Sequence, residues 1–363
     1  MFSIRLKQAR ETANLSIEAL AEVLGVPVYT IEKYEYGETM PSSTNLHKLA
    51  QALGVSSEYL LRPVRATPES LIYPKASDIH AKLLSQINID VLEQADRWLE
   101  LLELYPESVS PVPRFALPGD LPDCIKTYEE VEAIATTMRN EWKLGQNAIP
   151  DMIDTLETKG ILIIATDRVH NKNFYGLGGS VNALPFIVFS LHQPGDRLRF
   201  ILAHELARLV LHGRLNGLDE ETACSHFAGA FLLPQQAIVQ HIGSKRHAID
   251  PRELYLLKHK FGISMMVILK RMEQSGIISG SIQESYIDQF NQHAWQTEEP
   301  GKPYPIEEAI LYKQLVYRAM GEGYIGESKA AELLGVTVAS FHKERTLGQE
   351  ALNVGHGFLW KTD

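Results

Sequence analysis

The chain has 363 residues, 45% hydrophobic and 22% charged, with a formal net charge of −10. That is the composition of ordinary globular domains, long enough for two or three of them, and it excludes a protein that coats nucleic acid through its overall charge. Two cysteines, Cys124 and Cys224, argue against a disulfide framework; no apolar run approaches the roughly 20 residues of a membrane span, and the N-terminus lacks a secretory signal's apolar stretch, so a cytoplasmic chain without membrane contact is the expectation.

Residues 1–63 read as five short helices. Arg5–Ala13 is the first. Ser16 is a good N-cap for the second, whose apolar face is Ile17, Leu20, Ala21 and Leu24. Gly25-Val26-Pro27 breaks it, and a third helix spans Val28–Tyr36 before Gly37. Two more follow, carrying Leu46, Leu49, Ala50 and Leu53, then Tyr59, Leu60 and Leu61. Two helices joined by a tight glycine-containing turn have the spacing of a helix-turn-helix.

The residues Leu20-Ala21-Glu22-Val23-Leu24-Gly25-Val26, Ile31-Glu32-Lys33-Tyr34-Glu35-Tyr36-Gly37-Glu38 and Leu49-Ala50-x-x-Leu53-Gly54-Val55 make this stretch resemble the Cro/C1-type (XRE) DNA-binding domain. The resemblance implies operator contacts from Val28, Tyr29, Thr30, Glu32 and Lys33 at the start of the recognition helix. Related domains usually have Gln or Ser there. Residues 1–63 hold six Lys/Arg against seven Asp/Glu, so weak DNA affinity is expected unless a homodimer doubles the phosphate contacts. DNA binding is the favoured reading, and an inherited fold used for dimerisation or protein contact is the alternative.

Residues 78–105 form an amphipathic helix (Ile79, Leu83, Ile87, Val91, Ala95, Trp98, Leu102) that suits either a coiled dimer stalk or packing on its own domain. Five prolines between 106 and 122 mark an extended boundary. A helix then runs from Tyr128 to about Leu144 and another from Ile149 to Lys159, followed by a strand at Ile161–Ala165. The Gly-rich stretch Asn173–Asn182 reads as a hairpin turn, and Pro185–Leu191 as a second strand.

The segment 196–213 has apolar residues at helical period and ends at Gly213. Within it stand His204-Glu205, then Arg208 and His212. A zinc-peptidase helix reads His-Glu-x-x-His, because residues four apart lie about 40° from each other around the helix and both imidazoles reach one metal. Here the second position holds Arg208, a permanent cation without a lone pair to give.

Arg199-Phe200-x-x-Ala203-His204-Glu205-Leu206 and Glu221-x-x-Cys224-x-x-Phe227-Ala228-x-x-Phe231-Leu232-x-Pro234 resemble the ImmA/IrrE family of zinc metallopeptidase domains, over roughly residues 125–300. The resemblance implies His204 as first metal ligand, Glu205 as general base and Glu221 as acidic ligand, with Glu220 or Asp219 as substitutes. In that family an extended peptide is held by strand addition next to the central helix. His212 lies about 80° from His204, so a buried hydrogen-bonding role is expected ahead of ligation; His226 has no better claim. Arg208 between Glu205 and Glu221 is expected to pair with both, an ion-pair cluster replacing the metal. No cofactor is therefore expected, zinc being kept for an intact site.

Farther on, 235–290 looks helical and 307–345 reads as two or three helices. Ala331-Glu332-Leu333-Leu334-Gly335-Val336-Thr337-Val338 repeats Ala21-Glu22-Val23-Leu24-Gly25-Val26-Pro27-Val28, with Phe341 at the core position of Ile31; packing is favoured over DNA reading for this second unit. The apolar patches of Gly348–Asp363 suggest a docking tail.

The expected fold is mainly α, in the α+β class: a five-helix domain at 1–64, a helical and Pro-rich linker at 65–122, a zincin-like domain with a small sheet at 123–300 and a helical region at 301–363. The expected function is a transcriptional regulator or antitoxin-like protein that binds operator DNA through 1–64 and a protein partner, a toxin or repressor, through the degenerate peptidase domain. An active zinc metalloprotease cleaving a repressor or antitoxin, and a protein-binding scaffold without DNA binding, are the alternatives.

Overall fold

A computed structural model describes the chain except residues 14, 56, 68–70, 74–80, 110, 167–173, 297 and 347–363. The tail at Gly348–Asp363 lies outside the described residues. The rest is α+β, dominated by helix, with one small sheet. It divides into two compact units that do not follow chain order. One takes 1–71, 77–111 and 312–363; the other takes 72–76 and 112–311.

In the first unit α1 (Phe2–Thr12), α2 (Ile17–Leu24), α3 (Val28–Tyr36), α4 (Ser43–Ala52) and α5 (Ser57–Leu61) enclose Leu6, Leu20, Leu24, Ile31, Leu49 and Leu60. Ser16 caps α2 by accepting from the Ala19 amide, and Ser42 caps α4 by accepting from that of Asn45. Gly25 ends α2 with φ 67°, a left-handed conformation that lets α3 begin three residues later.

The helix α6 (Ala81–Leu104) buries Ile87, Val91, Ala95, Trp98 and Leu101 within this unit, so its apolar stripe serves its own domain. Asp90, Asp96, Arg97 and Glu100 on the same helix are buried too. Asp96 is 2.6 Å from Arg5 and 3.3 Å from Arg62, while Glu100 lies 3.0 Å from Arg62 and 2.7 Å from Lys329. Lys329 belongs to the C-terminal trio α15 (Leu311–Gly321), α16 (Glu327–Leu334) and α17 (Val338–Arg345). The trio is fixed by Tyr105, whose hydroxyl donates to the Leu315 carbonyl at 2.7 Å, and by the Trp98–Tyr312 ring contact. Chain ends far apart in sequence thus share one body through α6.

The second unit is built on a sheet ordered β1–β3–β4–β2, from β1 (Leu71–Ile72), β2 (Leu162–Thr166), β3 (Gly176–Val181) and β4 (Leu184–Ser190). β2 runs parallel to β4, and β3 runs antiparallel to it. Two sequence expectations are corrected here. The Gly-rich stretch is a strand, and the turn is only Asn182-Ala183, both at positive φ as a tight two-residue hairpin requires. The strand at Pro185–Leu191 is interior: β4 is paired on both sides, so its backbone has no free edge for an added peptide strand.

The reason for the glycines is α9 (Gly195–Leu211), which crosses β3. A Cβ on Gly176 would fall 2.5 Å from Ile201 Cγ2, and one on Gly178 would fall 3.3 Å from Glu205 Oε2. Bare backbone lets the helix approach closely. Around α9 stand α7 (Tyr128–Glu141), α8 (Met152–Glu157) and α10 (Glu220–Leu232), then α11 (Gln235–Ile242), α12 (Pro251–Phe261), α13 (Met265–Gln274) and α14 (Gly280–Gln292). Their shared core includes Met138, Leu202, Leu206, Phe227, Phe231 and Ile268.

Candidate functional site

Three consecutive constraints set the centre of the second unit. The N-terminal end of α9 is pinned by the extended segment at 301–310. Arg199 pairs with Glu307, donates to the Ile149 carbonyl at 2.7 Å and sits over the Tyr304 ring; Glu307 in turn accepts from the Met152 and Ile153 amides at the start of α8. The middle of α9 is held against β3, where the Gly178 amide donates to Glu205 Oε2 at 2.9 Å. The acidic start of α10, capped by Asp219 onto the Thr222 amide, is aimed at α9's polar stripe.

That stripe carries His204, Glu205 and Arg208. Arg208 Nε is 3.2 Å from Glu205 Oε2, and its two terminal nitrogens are 2.6 Å from Glu220 Oε1 and 2.9 Å from Glu221 Oε1. His204 spans the other side, with Nδ1 3.3 Å from Glu205 Oε1 and Nε2 3.3 Å from Glu221 Oε2. Two cations and three carboxylates therefore interlock. Burial alone would lower the His204 pKa, but its contacts with Glu205 and Glu221 outweigh burial and raise it to about 9, so the imidazole is charged at neutral pH. Burial would raise the Glu205 pKa, yet His204 and Arg208 hold it below the ordinary carboxylate value. Burial pushes the neighbouring Cys224 thiol up to about 12, keeping it protonated.

Zinc is the metal that the ImmA/IrrE resemblance implies, and the donor set does not fit it. A His-Glu-x-x-His helix offers two neutral imidazoles. Here one is replaced by a guanidinium, which has no lone pair to offer and instead binds Glu205, Glu220 and Glu221. Among the described residues no group of three His, Cys, Asp or Glu side chains is gathered as a metal centre.

His212 caps the C-terminal end of α9 and is exposed, which corrects the buried role expected from sequence: the helix stops at Leu211, so position 212 leaves its periodicity. His226 is also engaged elsewhere, 3.1 Å from Glu132 and stacked on Tyr128. The sequence reading missed the Gly178 amide and the Glu307 anchor, both brought in from distant segments. The glycines themselves were the available signal for the first.

Beside the cluster an open cleft of about 310 Å³ is lined by Phe200, Glu221, Met266, Val267, Lys270 and Gln274. Phe200 also stands against the His204 ring, with centroids 6.4 Å apart.

In the first unit the outer side of α3 presents Val28, Tyr29, Glu32, Lys33 and Tyr36 to solvent, whereas Thr30 is half-buried. Lys33 Nζ lies 5.7 Å from the Tyr29 ring centre. Ile31 and Tyr34 face the core, and Glu35 ties α3 to α1 through Arg10 at 2.6 Å.

Residues 6–60 match the family model described as helix-turn-helix, and residues 156–273 match the IrrE N-terminal-like domain. The chain carries both domains. Over 66 residues the chain is also similar, at 38% identity, to the SPbeta prophage-derived uncharacterized HTH-type transcriptional regulator YonR of Bacillus subtilis (strain 168); this is 18% of the present chain and 61% of YonR's length. The chain thus spans under two thirds of that relative. The Arg208 cluster lies inside the IrrE-like domain, on helices α9 and α10. Among the described residues no helix is long and apolar enough to cross a membrane.

Proposed function

We propose that the chain is a DNA-binding transcriptional regulator whose IrrE-like domain binds a protein or peptide partner and no longer acts as a zinc peptidase. The observation that carries the second half is Arg208 bonded at once to Glu205, Glu220 and Glu221. A cation bound in this way stabilises the carboxylates that a zinc ion would otherwise use. The open cleft, lined by Phe200, Met266 and Val267 together with Glu221, Lys270 and Gln274, supports a peptide-binding role. The first half is supported by the helix-turn-helix domain with its exposed α3 and by the similarity to YonR, itself described as an HTH-type regulator. A homodimer in the cytoplasm, paired with a toxin or a repressor, completes the reading.

Metal analysis of the purified chain tests the loss of hydrolysis. Far less than one zinc per chain is expected. One zinc per chain that disappears in both His204→Ala and Glu221→Ala would overturn it. Salt-dependent binding to the promoter of its own operon tests the regulator, and no binding by the full chain would leave a protein-binding scaffold. The second reading, a zinc metallopeptidase acting on a repressor or antitoxin, draws on the 3.3 Å approach of His204 Nε2 to Glu221 Oε2. It requires peptide cleavage by the unmodified chain that Glu205→Gln abolishes.

A further inference from the structure

The C-terminal trio repeats the N-terminal helix-turn-helix in geometry as well as in sequence. α2 ends at Gly25 with φ 67° and ψ 36°; α16 ends at Gly335 with φ 65° and ψ 26°. The capping bonds correspond pairwise: Gly25 N to Glu22 O and Val26 N to Ala21 O in one, Gly335 N to Glu332 O and Val336 N to Ala331 O in the other. In both, the next helix starts three residues after the glycine, at Val28 or Val338, and buries one large residue completely, Ile31 or Phe341. Both motifs lie in one compact unit, where Arg62 bridges to Glu332 at 3.1 Å.

The exposed faces differ in charge. On α3, Lys33 is accompanied by Glu32 and Glu35. On α17 the residues at the same three offsets are Lys343, His342 and Arg345. All three are exposed, with Ser340 beside them. His342 and Arg345 are steadied on α16 by Glu327, whose carboxyl their hydrogen bonds hold below its usual pKa. Glu344 faces inward enough to pair with Lys313. With Glu327 counted and the histidine neutral, this face of α17 carries a net charge of +1, against −1 for Lys33, Glu32 and Glu35 on α3.

We propose that α17 is a second DNA-contacting helix, and that duplex DNA is held by both helix-turn-helix motifs of one chain. The complementarity is between a cationic helix face and a phosphate backbone, and it offsets the acidic balance of residues 1–63. The inference rests on the reading that the chain binds DNA, and it adds a second contacting element to the one that reading uses.

The test is titration of the full chain with short random-sequence duplex DNA over a range of NaCl concentrations. Each lost phosphate contact lowers the slope of log K against log salt by about 0.9. Lys343→Gln combined with Arg345→Gln is expected to lower the slope by between one and two, and Lys343→Arg to preserve it. An unchanged urea midpoint shows that the trio still folds. An unchanged slope in the folded double variant overturns the proposal. If Lys33→Gln and Tyr29→Ala then abolish binding, the regulator reading stands and this one falls. If the α17 variants lose binding while the α3 variants keep it, α17 is the principal contact. No binding by any form, unmodified chain included, overturns both.

Discussion

The Gly178 amide donates to Glu205 Oε2 at 2.9 Å, joining the middle of a strand to the polar stripe of the central helix. The bond exists because neither Gly176 nor Gly178 has a side chain to hold α9 away. Alanine at 176 would place its Cβ 2.5 Å from Ile201 Cγ2 and 3.2 Å from the Val188 carbonyl, and neither neighbour is the end of a flexible chain. Gly176→Ala should destabilise by about 1–3 kcal/mol. Gly178→Ala, whose closest contact is 3.3 Å, should lose less. Denaturant midpoints rank the two, and the reverse order would contradict the packing described.

Removing the guanidinium should harm the fold more than removing its partner. Arg208→Ala leaves the buried Glu205 without one of its two cations, a loss of about 3–5 kcal/mol for a buried pair, reduced here because His204 and Gly178 still contact the carboxylate. Glu220 is half-buried, with its side chain 40% exposed, and contributes little, so Glu220→Ala should change stability by under about 1 kcal/mol. A double-mutant cycle between Arg208 and Glu205 reads the coupling directly, and a value near zero would remove the cluster as a structural tie.

His204 makes the second unit sensitive to alkali. Its folded pKa of about 9 stands above the unfolded value of about 6.5. A raised pKa means that its stabilisation is complete below the unfolded value and is lost as pH rises through the folded one. Stability should therefore fall between about pH 6.5 and 9, by on the order of 3 kcal/mol, and His204→Gln should flatten that part of the profile. Glu205, with its pKa lowered, acts in the opposite sense: its contribution is lost in acid, as pH falls through its folded value. Equilibrium unfolding followed from acid up through about pH 9, in the unmodified chain and in His204→Gln, checks both limbs.

Within the first unit, Asp96 is fully buried and accepts from Arg5, at 2.6 Å, and from the Arg65 amide at 2.8 Å. Asp96→Ala should cost about 3–5 kcal/mol, since it strands a buried guanidinium. Asp96→Asn, which keeps acceptor geometry, should cost less. Hydrogen exchange of α1 and α6 amides would show both helices loosening together; protection lost in only one of them would mean that the pair does not couple them.

Several features were legible in the sequence because their causes are local. Ser16, the Gly25 turn and the spacing of Leu20, Leu24 and Ile31 define the helix-turn-helix within about twenty residues, where capping and backbone conformation act over single turns. The adjacency of His204 and Glu205, with Arg208 one turn on, follows from helical geometry alone. Other features were settled only when distant segments met. Glycines at 176 and 178 have turn propensity, but a helix crossing the strand gave them a packing role instead. Reading Pro185–Leu191 as a strand said nothing about its neighbours, and pairing on both sides closed its edges. Glu220 reaches Arg208 from another helix, and Glu307 reaches Arg199 across 108 residues. The stripe on α6 revealed an apolar face without naming what covers it. Local chemistry fixes the shape of each element and the residues on its faces; which faces meet depends on the burial and charge pairing of the whole chain, and only the tertiary structure decides that.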